Sequence, residues 1–194
     1  RAIGLLGVGA LGALVAVYLF YENGRQRIND FLGLGVQLDT GPDQTELAHR
    51  TITHGGLTGV GPGLGQEKFR LPEAHTDYIF SVIGEEFGLI ACLAIAVIYL
   101  AIVVRVFLKL LDEEDSFTML AAAGLTTQIG VQALINMAVN LQLAPSKGMT
   151  LPLISYGGSS MIALAIGLGL LLAFTRRNPY LNRSPYVVKW GGQK

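Results

Sequence analysis

The ionisable side chains best suited to chemistry lie together in residues 71–80, Leu-Pro-Glu-Ala-His-Thr-Asp-Tyr-Ile-Phe. Glu73, His75 and Asp77 occupy alternate positions there, and an apolar segment follows directly after Glu86. Charged groups are costly near lipid, so carboxylates at the edge of a membrane helix indicate a functional site. The chemistry that such a carboxylate offers is general-base catalysis. The simpler interpretation is a polar loop that marks where a membrane helix begins.

Residues 143–160 form a second unusual stretch, Leu-Ala-Pro-Ser-Lys-Gly-Met-Thr-Leu-Pro-Leu-Ile-Ser-Tyr-Gly-Gly-Ser-Ser. Its prolines and glycines exclude a continuous helix. Non-helical backbone at membrane depth is tolerated only where it is buried in protein or lines a water-filled cavity. Lys147 lies between charge-free stretches, which makes it a candidate for binding an anionic group. The alternative is a lysine whose ammonium group simply reaches the lipid headgroups.

Four side-chain amides form a third polar pattern in an otherwise apolar segment. Gln128, Gln132, Asn136 and Asn140 recur every fourth residue and therefore lie on one face of a helix. Amides that face lipid would lack hydrogen-bond partners, so we expect this stripe to face protein or a wet groove. The structural interpretation is hydrogen bonding between helices, and the functional one is the lining of a substrate path.

The elements that position these residues are membrane helices. The chain is 51% hydrophobic and only 14% charged, whereas roughly 25% charged residues are typical of soluble domains. Four stretches contain no Asp, Glu, Lys or Arg, namely residues 2–21, 87–104, 116–146 and 148–175. Each reaches the length of about 18 residues that a membrane span needs. We therefore predict an all-α polytopic membrane protein with about four transmembrane helices and a broken helix entry before the last one.

These spans define a single membrane domain over residues 1–194. We expect the spans at about 2–21, 87–110, 117–142 and 155–175, with a large extracytoplasmic loop at about 22–86 and a cytoplasmic tail at 176–194. Positive residues near the span ends favour the cytoplasm, and Arg105, Lys109, Arg176 and Arg177 fit that side. Both Asp77 and Lys147 would then lie on the extracytoplasmic side. A chain that begins with Arg is expected to be a piece of a longer protein.

The segment 22–86 is polar and rich in glycine. Residues 43–57 could form a short amphipathic helix, and a later helix could begin near Asp77, with Thr76 or Asp77 as its N-cap, and continue to about Leu111. The glycine run of residues 55–65 fits neither the dinucleotide-binding pattern nor a P-loop. A tight backbone turn against another surface is the better interpretation.

Several classes of site are not indicated. His49, His54 and His75 lack the spacing of metal ligands. Cys92 is the single cysteine and lies in an apolar span, so it forms no internal disulfide and does not indicate a thiol site. The formal net charge of zero gives no reason to expect nucleic acid as a partner.

The two unusual stretches resemble the SEDS family of bacterial division, elongation and sporulation proteins, which comprises FtsW, RodA and SpoVE. The resemblance lies in residues 71–80, in Gly84-Glu-Glu86 and in residues 145–160, and the glycine run resembles the loop ahead of the first motif. The form of residues 145–160 is most similar to the division branch of the family. Family members have ten membrane helices, so the four spans here would match the seventh to the tenth.

The resemblance implies a peptidoglycan glycosyltransferase that polymerises lipid II into glycan strands during septal cell-wall synthesis. It marks Asp77 as essential for polymerisation, and our hypothesis is that Asp77 is the catalytic general base for the attacking sugar hydroxyl. Asp77 as a plain helix N-cap is the competing interpretation. We expect substrate contacts, chiefly to the pyrophosphate, from Lys68, Arg70, Glu73, His75, Lys147, Ser155, Ser159 and Ser160.

By the same resemblance, we expect a location in the bacterial cytoplasmic membrane, with the active site on the extracytoplasmic side. The expected partners are lipid II, a class B penicillin-binding protein with transpeptidase activity, other division proteins and membrane lipids. No cofactor and no protein-bound metal are expected, although a divalent cation could accompany the substrate pyrophosphate.

Two other functions fit many of the same features. A flippase for lipid-linked oligosaccharides would use the amide stripe and the broken helix as a pathway. A division scaffold would only recruit other proteins. Neither of them needs a base at Asp77, so neutralising that carboxyl group distinguishes them from a polymerase.

Overall fold

The computed structural model describes residues 12, 15–16, 18–31, 44–113 and 115–176. The elements with defined bounds are α1 (Glu22–Phe31), α2 (Gln44–Gly55), a 3₁₀ turn (Glu67–Arg70), α3 (Ile79–Leu110), α4 (Ser116–Asn140) and α5 (Gly158–Thr175). Residues 12, 15–16 and 18–20 are also helical. The described residues contain no β-strand, and the predicted all-α class is confirmed.

Three of these helices are long and apolar enough to cross a membrane. They are α3, α4 and α5, with 32, 25 and 18 residues, respectively. Apolar side chains cover much of their outer surface, including Leu93, Leu120 and Leu172, each about two-thirds exposed. The chain is therefore a multi-pass all-α membrane protein. The span predicted at residues 2–21 lies largely outside the described residues.

Helix α3 is bent where Gly88 leaves helical geometry, with φ 79° and ψ 178°. The part after this bend, residues 89–110, is about 33 Å long at 1.5 Å per residue, which matches a hydrocarbon core of about 30 Å. Its first turns, from Ile79 to Phe87, therefore extend beyond the membrane-crossing part. This agrees with the expected helix that starts near Asp77 and exceeds the length of a span.

The predicted N-cap of α3 was wrong. The capping residue is Tyr78, and its side chain makes no capping hydrogen bond. The Thr76 hydroxyl donates instead to the Glu73 carbonyl (3.1 Å) and to Glu73 Oε2 (2.9 Å). The Glu73 carbonyl also accepts hydrogen bonds from the backbone N–H groups of Thr76, Asp77 and Tyr78. The Thr76 hydroxyl and these N–H groups are bound within the turn, and neither Thr76 nor Asp77 accepts a hydrogen bond from the first N–H groups of α3.

The long polar segment contains helices that pack on the membrane bundle. Helix α2 coincides with the short amphipathic helix predicted at residues 43–57. It buries Thr45, Ala48, Ile52 and Gly55, which follow the three- and four-residue spacing of one helical face. Ile52 joins a buried cluster with residues of α3 and α4, so α2 is held against the end of the bundle.

The glycine run turns tightly against the bend in α3, as predicted. A Cβ atom at Gly59 would lie 2.2 Å from the Glu86 carbonyl oxygen, and one at Gly88 would lie 2.3 Å from the Leu57 carbonyl oxygen. Both glycines also have positive φ. The backbone of this turn donates to α3, with Val60 N–H bound to the Glu85 carbonyl at 2.9 Å. Glycine is needed here because two backbones approach to contact distance.

Candidate functional site

Two loops meet at one end of the helix bundle, where α3 begins, α4 ends and α5 begins. We call residues 71–78 the first loop and residues 141–157 the second loop. The Tyr156 N–H donates to the His75 carbonyl at 3.0 Å, and the rings of these two residues lie 6.0 Å apart. The chain thus brings together the two unusual stretches of the sequence, although they are far apart along it.

The carboxylate of Asp77 borders a cavity of about 200 Å³ between these loops. The cavity is lined by Gln44, Glu73, Asp77, Tyr78, Ser146, Lys147 and Gly148. A Cβ atom at Gly148 would lie 3.1 Å from Asp77 Oδ2. The absence of a side chain at Gly148 therefore keeps the space beside the carboxylate open.

The Asp77 carboxylate makes no hydrogen bond with any residue that the structure describes. Desolvation by burial raises its pKa above the ordinary value for Asp, and the negative charge of Glu73 raises it further. A pKa shifted upward makes the carboxylate a stronger proton acceptor near neutral pH. This arrangement suits a general base better than it suits a helix cap.

The backbone of Asp77 is bound tightly, in contrast to its carboxylate. The Asp77 carbonyl accepts hydrogen bonds from Asn136 Nδ2 at 2.7 Å and from Asn140 Nδ2 at 3.3 Å. Asn140 Oδ1 also accepts the Ser81 N–H at 3.1 Å and the Ser81 hydroxyl at 2.5 Å. Asn140 therefore caps the first turn of α3 from another helix.

The second loop is held by the same face of α4. Asn136 Nδ2 donates to the Met149 carbonyl at 2.6 Å, and Gln132 Nε2 donates to the Thr150 carbonyl at 3.0 Å. Three of the four amides in the predicted stripe thus face protein, as expected. Asn140 makes the predicted hydrogen bonds between helices, whereas Gln132 and Asn136 bind loop backbone instead. Gln128 is exposed and makes no hydrogen bond within the described part of the chain.

Further hydrogen bonds pair polar backbone groups of the second loop. The Tyr99 hydroxyl donates to the Pro152 carbonyl, and Ser155 Oγ accepts the Leu151 N–H at 2.7 Å. Leu151, Pro152 and Ser155 are buried. Irregular backbone beside membrane helices is stable only when its polar groups are paired in this way, so the predicted broken entry before the last span is confirmed.

Among the predicted substrate contacts, Glu73 and Lys147 line the Asp77 cavity. Lys147 is exposed and forms no ion pair with any described residue, so its ammonium group is available to an anion. Glu73 is exposed and has a left-handed backbone with φ 56°. Such strain is typical of functional sites.

Lys68, Arg70 and His75 lie outside the Asp77 cavity. Lys68 and His75 line a neighbouring cavity of about 390 Å³, which shares Glu73 with the first one. Lys68 is paired with Glu86. Arg70 lies 3.5 Å from Glu67 Oε1 and is largely exposed. The roles of all three in substrate binding stay predictions.

The three predicted serines differ in their surroundings. Ser155 is buried and committed to the backbone of the second loop. The Ser160 hydroxyl donates to the Gly157 carbonyl at 3.0 Å, and Ser159 is exposed in the first turn of α5. Ser159 therefore has the most accessible hydroxyl of the set, and a substrate contact by any of them stays a prediction.

Glu85 is a structural residue whose binding partners the sequence did not reveal. Its side chain is fully buried, and Oε1 accepts the N–H groups of Gln66 (2.8 Å) and Glu67 (2.9 Å). Oε2 accepts the Lys68 N–H at 3.0 Å, and Oε1 also lies 3.0 Å from His54 Nδ1. This carboxylate caps the 3₁₀ turn. The only available signal was its position beside Glu86 ahead of an apolar run.

No group of three or more His, Cys, Asp or Glu side chains in the described ranges could hold a metal ion. Cys92 is buried within α3. The side chains at the Asp77 cavity supply a proton acceptor in Asp77 and a cation in Lys147.

Comparison with known proteins identifies relatives of this chain. It is similar to the "Probable peptidoglycan glycosyltransferase FtsW" of Caulobacter vibrioides, with 46% identity over 177 residues, 91% of this chain and 44% of the relative. The protein of the same name from Geobacter sulfurreducens (strain DL-1 / KN400) is 39% identical over 184 residues, 91% of this chain and 48% of the relative. The chain thus spans about half the length of these curated relatives.

A solved structure has a similar fold. It is described as "Structural coordination of polymerization and crosslinking by a peptidoglycan synthase complex", and it matches with a TM-score of 0.61 and 29% identity, covering 89% of this chain and 48% of that one. Residues 2–180 match the model of the FtsW, RodA and SpoVE family, described as "Cell cycle protein". The family match covers nearly the whole chain, so the chain belongs to the FtsW, RodA and SpoVE family of cell cycle proteins.

Proposed function

We propose that this chain carries the catalytic part of a peptidoglycan glycosyltransferase that polymerises lipid II for the septal cell wall. The observation that carries this proposal is the Asp77 carboxylate, which borders a cavity beside Lys147 and has a raised pKa. The names of the FtsW relatives and the description of the related synthase complex support the same reaction.

In this reaction, Asp77 accepts the proton of the GlcNAc 4-hydroxyl of one lipid II molecule. The hydroxyl oxygen attacks the anomeric carbon of MurNAc in a second lipid II molecule. The bond from that carbon to the pyrophosphate breaks, and its electron pair leaves with the polyprenyl pyrophosphate. Attack opposite to the leaving group inverts the anomeric centre and gives a β-1,4 linkage. Asp77 then releases its proton to water.

Its positive charge makes Lys147 the best candidate to bind and stabilise the leaving pyrophosphate anion. Lys147 lines the same cavity as Asp77, and its ammonium group has no described carboxylate as an ion-pair partner. A positioned base typically contributes about 10²–10⁴-fold to the rate. The rest of the rate enhancement comes from the fixed orientation of the two substrates and from stabilisation of the developing negative charge. The reaction needs no cofactor, and any divalent cation would accompany the substrate pyrophosphate.

The same proposal includes a location and a partner. Arg105, Lys109 and Arg176 lie towards the end of the bundle opposite to the two loops, and positive residues favour the cytoplasm. The first and second loops would then face the extracytoplasmic side of the bacterial cytoplasmic membrane, where lipid II is polymerised. A class B penicillin-binding protein is the proposed partner that cross-links the new strand.

Polymerisation of lipid II by the purified intact protein with its transpeptidase partner tests this function. In detergent there is no second compartment, so a flippase would yield no glycan. We expect glycan strands from the native protein and at least about a 10²-fold lower rate from Asp77→Asn. Asp112→Asn, an exposed change at the opposite end of the bundle, should retain the native rate. Absence of glycan from the native protein, or equal activity of Asp77→Asn, would contradict the proposal.

A further inference from the structure

We propose that Asn136 is a positioning residue that fixes Asp77 in relation to the second loop. Its side-chain nitrogen donates to the Asp77 carbonyl at 2.7 Å and to the Met149 carbonyl at 2.6 Å. Asn136 is 2% exposed. One buried amide group thus joins the loop that carries the carboxylate to the loop that carries Lys147. This role rests on the glycosyltransferase function proposed above.

The chemistry of the site requires an amide at this position. Both partners are backbone carbonyls, which only accept hydrogen bonds, so the group between them must supply two donors. The NH₂ group of Asn supplies two on a short side chain, whereas a carboxylate supplies none. An apolar residue of similar size, such as Leu, would leave two carbonyls without this donor. An unsatisfied buried polar group is costly, so the two loops would separate or admit water.

The position of the reacting groups depends on this link. Asp77 makes no side-chain hydrogen bond in the described structure, so the position of its carboxylate depends strongly on the backbone that carries it. Asn140 contributes a longer contact of 3.3 Å to the same Asp77 carbonyl and mainly caps α3. Gln132 holds the adjacent Thr150 carbonyl. Asn136 is therefore the member of the amide stripe that contacts both loops directly, and a misplacement of about 1 Å can lower a rate about 10²-fold.

Kinetics of the intact protein distinguish positioning from simple stability. We expect Asn136→Leu to lower the melting temperature and, in the protein that remains folded, to lower kcat about 10²-fold with KM changed less than about threefold. A merely structural role would lower the amount of folded protein and leave the kcat of the folded fraction unchanged. That second result would overturn the proposal. If Asn136→Leu does not accumulate, Asn136→Asp serves instead, because it keeps the shape and lacks the NH₂ group.

A cross-linking experiment tests the link without any activity measurement. A Cβ atom at Gly148 would lie 3.1 Å from Asp77 Oδ2, so we expect cysteines at positions 77 and 148 to approach closely enough to form a disulfide. The native Cys92 is buried and should not compete. We expect rapid disulfide formation in Asp77→Cys/Gly148→Cys and at least about tenfold slower formation when Asn136→Leu is added. Gln128→Leu, an amide change on the same helix without a described partner, should leave the rate unchanged.

An unchanged cross-linking rate with Asn136→Leu would overturn the positioning role, whatever the activity of the enzyme. If Asp77→Asn instead retains full polymerisation while the cross-linking rate falls as expected, the proposed catalytic function fails and the link between the loops stands. The two experiments therefore separate the two proposals.

Discussion

Asp77 combines a free carboxylate with a firmly bound backbone, and this contrast fits the proposed role as a general base. The carboxylate borders an open cavity, while the carbonyl of the same residue is bound by two asparagines. A base must approach its proton donor with little rearrangement, and a fixed backbone with an unpaired side chain meets that requirement. A capping aspartate would show the opposite arrangement, with its oxygens bound to backbone amides.

Glu73 should control the pH at which Asp77 works. The pKa of Asp77 is raised first by desolvation and then by the charge of Glu73. In the proposed mechanism the ionised form of Asp77 is the base, so the rate should rise as the pH rises through this pKa. Glu73→Gln removes a negative charge, which lowers the pKa of Asp77 and moves the acid limb of the kcat/KM profile to lower pH. Profiles of native protein and Glu73→Gln check this expectation.

Glu113→Gln provides the matched control for this experiment, because Glu113 is exposed at the other end of the bundle. Its acid limb should coincide with the native one. An acid limb that stays in place in Glu73→Gln, or moves to higher pH, would contradict the coupling of the two carboxylates.

At this scale, the sequence was informative about residue types and less so about their partners. Proline and three ionisable groups ahead of an apolar run indicated Asp77. The cap of α3 could not be predicted, because it comes from Asn140, which is 59 positions beyond Ser81. Glu85 was hidden for a similar reason, since its partners belong to residues 54 and 66–68. A contact between distant residues leaves no spacing pattern in one sequence.

The bend at Gly88 is the feature of α3 that most depends on a single residue. Gly88→Ala would strain a left-handed position, which costs about 1–3 kcal/mol. It would also place a Cβ atom 2.3 Å from the Leu57 carbonyl oxygen, so the glycine run must move. We expect a lower free energy of unfolding and faster proteolysis within residues 56–65, measured by thermal unfolding in detergent and by limited digestion.

Gly169→Ala is the control for this change, because no atom lies within 4 Å of a Cβ added there. Alanine is also the better helix former, so this variant should unfold at or slightly above the native temperature. Equal stability of Gly88→Ala and Gly169→Ala would contradict the role of the bend.

Periodicity predicted part of the regular structure, although helix α1 was not predicted. The spacing of apolar residues indicated α2, and the four-residue repeat of amides indicated one face of α4. The bend in α3 was not predicted, because a glycine within an apolar run is compatible with a straight helix. Its cause is the approach of Leu57 and Gly59, which belong to another part of the chain. The glycine run itself did predict a close approach, although not to which surface.

The orientation of the whole molecule can be measured by cysteine labelling. In spheroplasts, a membrane-impermeant maleimide should label Lys147→Cys, because the second loop is proposed to face outward. Glu113→Cys lies at the opposite end of the bundle and should react only after permeabilisation. The native Cys92 is 3% exposed and should give little background. Labelling of Glu113→Cys in intact spheroplasts, with protection of Lys147→Cys, would reverse the proposed orientation.

The class of the molecule, a membrane protein, could be predicted from its charge-free segments, because charged residues are costly in lipid and are therefore rare there. The contacts that assemble the site could not be predicted from composition. The chain spans about half of its curated relatives, and the apolar outer faces of α3 and α5 remain exposed in the described structure.

The central claim is that the Asp77 carboxylate acts in the bond-forming step and not in substrate binding. Single-turnover kinetics with lipid II already bound to the intact protein and its proposed transpeptidase partner test this claim most directly. For Asp77→Asn, we predict near-native lipid II binding and a rate of bond formation lower by about 10²–10⁴-fold. Bond formation at the native rate, or a defect explained entirely by lost binding, would contradict it.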